Sequence, residues 1–172
     1  LDTVPLAWVP FPAMCSAHPQ RSVPFPGRVP SLSMDSPPPL LAAIEAGGTK
    51  YVCAVAFDPR EPIAETRFPT GAPAETLARA AEFFREAAAT HGPIASMGIG
   101  TFGPAAIDPA SPEFGCILTT PKEGWAGFGV VAAIREHLGD GFPIAFENDV
   151  NVAALAEATH GVGRGKRHLA YI

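Results

Sequence analysis

Ten of the twenty prolines in this chain fall within its first 39 residues, an imbalance that limits the fold more than any other feature of the sequence. Proline removes a backbone donor and fixes φ, so a stretch this rich in it neither propagates a helix nor pairs as a central strand. Residues 1–39 are therefore expected to be a disordered segment. Within it, Met34 opens Met-Asp-Ser-Pro-Pro-Pro just ahead of the first strand pattern, which makes Met34 the expected natural start. The alternative is a Pro-rich tail that binds a partner domain, but no repeated PxxP register supports it. Folded structure is expected between residues 40 and 172.

Composition sets the class of that folded part. With 47% hydrophobic and 17% charged residues, one domain with a real core is expected. A net charge of −5, with acids and bases interleaved, builds no basic stripe, so no nucleic-acid partner is expected. Pro, Gly or a charge interrupts every apolar run short of membrane-spanning length, and the first residues lack the basic lead of a signal peptide. Cys15, Cys53 and Cys116 are odd in number and widely separated. Reduced thiols in a cytoplasmic protein are expected from them, not a disulfide framework or a metal centre.

From Leu40 the pattern becomes regular. Leu41–Ala46 and Tyr51–Phe57 are short apolar runs joined by Gly47-Gly48-Thr49-Lys50, which reads as two strands and a tight turn. Ile63–Phe68 is a weaker third strand. A helix is expected from Pro73 to about His91, with Leu77, Ala80, Phe84 and Ala88 at helical spacing and Gly92-Pro93 as its stop. Ile94–Gly100 reads as a buried strand and residues 103–125 as a Pro- and Gly-rich excursion. A helix at Phe128–Leu138, a strand at Pro143–Phe146, a helix at Val150–Thr159 and a last strand at His168–Ile172 follow. Three strands and then alternating helices and strands predict an α/β domain on a mixed sheet.

Three segments carry chemistry. In Glu45-Ala46-Gly47-Gly48-Thr49-Lys50, two glycines let the backbone approach a phosphate, and successive N–H groups can cradle it beside the Lys50 charge. An ordinary Gly-Gly hairpin turn fits the same residues. Gly98-Ile99-Gly100-Thr101-Phe102-Gly103 matches GxGxxG, but Pro104, Pro109 and Pro112 forbid the helix that a dinucleotide site requires there. Those glycines suit a ligand-touching loop at the end of a strand. At Glu147-Asn148-Asp149 a strand delivers an amide and a carboxylate to its carboxyl end, where open α/β sheets bind ligands. Such a pair can grip adjacent sugar hydroxyls and accept a proton from one of them; the plainer alternative is that Asp149 only caps the next helix.

Together these segments resemble the ROK family, named for repressors, open reading frames and kinases, over about Leu41 to Ile172. Ile-Glu-Ala-Gly-Gly-Thr-Lys at 44–50 looks like its first phosphate loop and Gly-Ile-Gly-Thr-Phe-Gly-Pro at 98–104 like its sugar-side loop. Thr-Pro-Lys-Glu-Gly-Trp at 120–125 is similar to the segment over the sugar, and residues 147–157 resemble the catalytic signature. The broader family usually has Asp where Glu45 stands, and the combination found here resembles its fructokinase branch.

The resemblance implies a ribonuclease-H-like, actin-like ATPase fold, with this domain the first of two around a cleft. It implies ATP-dependent phosphorylation of a hexose with Mg2+, fructose to fructose 6-phosphate by branch, in a cytoplasmic protein that is a homodimer when complete. The second phosphate loop, the adenosine site and the structural zinc ligands would lie beyond Ile172. The chain is thus expected to be an incomplete fragment, inactive alone, with no metal site of its own; His160, His168 and Cys116 are not expected as zinc ligands. Asp149 would accept the proton of the sugar hydroxyl and Asn148 would hold a neighbouring one. Gly103, Pro104, Lys122 and Trp125 would close around the sugar. Gly47, Gly48, Thr49 and Lys50 would meet the ATP phosphates. Glucose, mannose or an N-acetylhexosamine stay open as substrates. So does a sugar-responsive repressor, although that reading needs a helix-turn-helix where the Pro-rich segment lies.

Overall fold

The computed structural model describes residues 38–171. The Pro-rich segment up to residue 37, with the expected start at Met34, lies outside the described residues. Along β1 (Leu40–Ala46) the chain alternates: Leu40, Ala42, Ile44 and Ala46 are buried while Ala43 and Glu45 are exposed. A period of two sends alternate side chains to one face of a sheet. β2 (Lys50–Asp58) returns antiparallel, pairs Tyr51 with Ala46, and buries Tyr51, Cys53 and Val55 on that same face. β3 (Glu61–Pro69) completes the meander and contributes Phe68 to the core.

α1 (Pro73–His91) starts with proline in its first turn and ends at Gly92, whose φ of 101° suits glycine and whose N–H donates to Ala88 O at 3.0 Å. It buries Leu77, Ala80, Phe84 and Ala87; the last replaces the expected Ala88, one position away on the helical face. β4 (Ile94–Thr101) then runs parallel beside β1, and after α2 (Val130–Leu138), β5 (Ile144–Asn148) runs parallel beside β4. The sheet order is β3-β2-β1-β4-β5, the mixed α/β sheet expected. α3 (Asp149–Thr159) follows β5 without a loop.

α1 and α2 pack on each other, and α1 on β1 and β2, closing a core that includes Tyr51, Leu77, Phe84, Trp125 and Ile134. α3 lies against β4 and β5 on the other face, where Gly100 makes room for it: a Cβ there would sit 3.2 Å from Val152 Cγ2. The GxGxxG match is thus strand backbone under a helix that arrives much later in the chain, and no helix opens after it.

Three expectations need correction. α2 begins at Val130, not Phe128, because the Phe128 ring is buried against Trp125 and its N–H donates to Trp125 O at 3.1 Å. β5 extends two residues further than expected because its ladder with β4 continues to Thr101↔Asn148. Residues 168–171 form no strand, since no ladder partner lies alongside them among the described residues. Cys53 is a free, buried thiol, and Cys15 lies outside the described residues. Among the described residues, no helix is long and apolar enough to cross a membrane.

Candidate functional site

Register brings the motifs together. Ala46 at the end of β1 pairs with Thr101 at the end of β4, which pairs with Asn148 at the end of β5. The three parallel strands therefore finish level, and their next residues share one edge: the turn Gly47–Lys50, the loop Phe102–Pro104, and Asn148-Asp149. Two inter-strand steps separate the first from the last, roughly 10 Å.

The turn is closed by Gly47 N–H donating to Lys50 O at 2.9 Å, an approach so close that a Cβ on Gly47 would lie 2.8 Å from that oxygen. Its carbonyls are held from behind. Thr70 N–H donates to Thr49 O at 3.0 Å and the Thr70 hydroxyl to Gly47 O at 2.7 Å. Among the described residues, no acceptor takes the N–H groups of Gly48 and Thr49. Lys50 is exposed and pairs with no carboxylate among the described residues. Free amides beside a free cation suit an anion.

Gly103 sits against Asn148, and a Cβ there would lie 2.5 Å from Asn148 Oδ1. Gly103 and Pro104 are exposed, and Pro104 O accepts Leu118 N–H at 2.8 Å, which ties this loop to the one that follows. Asn148 is the residue before α3, but its side chain does not cap the helix; Asp149 is the first helical residue. Asp149 Oδ1 accepts Val150 N–H at 2.8 Å. The capping alternative is thereby reduced to one local bond, leaving Oδ2 without a partner among the described residues. Glu147, which the motif reading gave no role, anchors the strand-to-helix junction: Oε1 accepts Asn148 N–H at 2.8 Å and Asn151 Nδ2 at 3.0 Å. Asp149 and Glu45 both line a cavity of about 330 Å³ with Gly100, Val152, Ala153 and Tyr171. That volume is at the small end of small-molecule sites.

Lys122 and Trp125 do not join this edge in the same way. Lys122 is half-buried, its N–H on Thr120 Oγ1 at 3.3 Å, and it makes no ion pair among the described residues. Trp125 has no exposed surface. Its ring packs among Tyr51, Phe102 and Phe128, and its indole N–H donates to Gly71 O at 3.0 Å. Trp125, expected at the sugar, is a fully buried ring whose one donor is used on Gly71 O, and in this structure it holds its loop in place. Beneath it, burial raises the Tyr51 phenol far above its usual range, with Cys53 beside it adding to the effect, and pushes the Cys53 thiol up to about 12. Neither group is available for proton transfer near neutrality.

Among the described residues, no group of three or more His, Cys, Asp or Glu could hold a metal ion.

The family model described as ROK family matches residues 41–172. A fructokinase of Zymomonas mobilis is 39% identical over 134 residues, covering 77% of this chain and 44% of that protein. The chain thus spans less than half the length of this curated relative. A ROK family glucokinase from Streptomyces griseus, solved with glucose and AMPPNP, matches at 25% identity and a TM-score of 0.55, over 73% of this chain and 38% of that one. A ROK family transcriptional regulator, a homolog of the E. coli MLC protein, matches at 21% identity and a TM-score of 0.59, over 73% and 32%. This last likeness shows the fold alone. The mixed sheet is the actin-like ATPase fold that such sugar kinases share.

Proposed function

This chain belongs to the ROK family, and on that premise we propose that the whole protein is a sugar kinase that moves the γ-phosphoryl group of ATP to a hexose, with fructose the preferred acceptor. The observation that carries the reading is the level finish of β1, β4 and β5, which sets an anion-ready turn and an amide–carboxylate pair on one sheet edge. The similarity to a fructokinase at 39% identity supports fructose over other hexoses.

The chemistry asked of these residues is modest. Phosphoryl transfer has a loose transition state, so positioning and charge stabilisation do most of the work. The N–H groups of Gly48 and Thr49, with Lys50, bind phosphate oxygens. Asp149 Oδ2 accepts the proton of the attacking hydroxyl late in the transfer. Asn148, braced by Gly103, holds a neighbouring hydroxyl. Magnesium bound with the nucleotide would supply further neutralisation of phosphate charge. Exclusion of water by the Gly103-Pro104 and Lys122 loops limits ATP hydrolysis.

A coupled assay of the whole protein across fructose, glucose, mannose and N-acetylmannosamine tests this. Fructose gives the highest kcat/KM. Preference for another hexose removes fructose and keeps the kinase, and absence of transfer to any of them overturns the kinase itself.

A further inference from the structure

A turn can offer its N–H groups to a ligand only if something else holds its carbonyls. Thr70 does this twice, through its N–H to Thr49 O at 3.0 Å and its hydroxyl to Gly47 O at 2.7 Å. Thr70 is 9% exposed, so water competes poorly for both bonds. The next residue extends the strut in two directions. Gly71 N–H donates to Oγ1 of Thr76, buried in the first turn of α1, at 3.0 Å. Gly71 O accepts the Trp125 indole N–H at 3.0 Å, which fixes the end of the loop that carries Lys122. The 47–50 turn and the 119–125 loop therefore rest on the same two residues, although they are distant in sequence.

We propose that Thr70 is the positioning residue of the phosphate-binding turn. What the turn binds rests on the kinase reading; that Thr70 holds it does not. With these two carbonyls pinned, the peptide planes that carry Gly47 O and Thr49 O are fixed, and the Gly48 N–H, trans to Gly47 O, points away from Thr70 before any ligand arrives. Releasing Gly47 O lets its plane rotate, so part of the binding free energy goes into reordering the turn.

The test uses the whole protein with Thr70→Val, which keeps shape and backbone N–H but loses the hydroxyl, and Thr70→Ser, which keeps the hydroxyl. One lost neutral hydrogen bond predicts an ATP KM raised about fivefold in Thr70→Val, with hexose KM and kcat nearly unchanged. Thr70→Ser restores it. Amide exchange at Gly47, whose bond to Lys50 O closes the turn, is faster in Thr70→Val and returns towards wild type in Thr70→Ser. Unchanged ATP KM with unchanged Gly47 exchange overturns the proposal. So does a variant in which melting temperature and both KM values move together, the signature of a merely structural threonine. Should the wild-type protein phosphorylate no hexose, the kinase reading fails, while Gly47 exchange in the two variants still decides the role of Thr70.

Discussion

On one face of the sheet, Phe84 of α1, Ile134 of α2 and the buried Trp125 expose no surface; on the other, α3 has no buried residue and leaves Val150 52% and Leu155 67% exposed. The first face is a finished core in which shape and volume decide what fits. The second is held by a few close approaches, such as Val152 over Gly100, and by the junction at Glu147. The candidate site lies at the edge where the two faces meet. Its positions come from strand ends rooted in the core, and the helix that carries Asp149 is fixed at its first residue more than along its length. Chemistry here depends on the rigid strand ends, and stability depends on the face away from α3.

That contrast breaks if the two faces respond alike to substitution. Phe84→Ala empties a site with no exposed surface and should cost about 3–5 kcal/mol of stability, read from denaturant or thermal unfolding. A loss under about 1 kcal/mol would mean that the core face is not the main source of stability.

A smaller effect follows from pH. An unfolded cysteine releases its proton near pH 9.0, whereas burial holds Cys53 up to about 12. Between those values the folded state keeps a proton that the unfolded state has lost, so stability is full below about pH 9 and falls as pH rises towards 12. Melting temperatures across that range should show the fall, and Cys53→Ala should flatten its lower part. An equally steep fall in the variant would assign it to other groups, Tyr51 first among them.

The smallest effect belongs to the open face. Leu155→Glu should change stability by no more than about 0.5 kcal/mol, as expected of an exposed position, while lowering any self-association of this chain measured by sedimentation. A loss comparable to that of Phe84→Ala would show that α3 is a core element after all.

What the sequence revealed follows the same division. The bounds of α1 were readable because Pro73 and Gly92 are local signals that act through φ and a missing donor. The pairing of β1 with β2 was readable from two apolar runs and a Gly-Gly turn. Features that depend on distant partners were not. The burial of Trp125 turns on a carbonyl at Gly71, 54 residues earlier, and nothing in Thr-Pro-Lys-Glu-Gly-Trp announces it. Thr70 carries no motif, and only the β2–β3 ladder brings it to the turn. The start of α2 moved because Phe128 is held in the core. The gathering of Gly47, Gly103, Asn148 and Asp149 at one edge was legible because each lies at or just beyond the end of a parallel strand, and such strands end together in this class of sheet.

The most direct measurement is kcat of Asp149→Asn in the whole protein, taken with its melting temperature on the same preparation. Asparagine keeps an oxygen for the Val150 N–H, so the fold should survive with at most about 1 kcal/mol lost from the charge at the helix N-terminus. It cannot take the hydroxyl proton, and general-base assistance contributes about 10²–10⁴-fold, so kcat should fall by about that factor with hexose KM little changed. A variant that melts like the wild type and turns over at nearly the wild-type rate would contradict the account, leaving Asp149 as a structural residue at the head of α3.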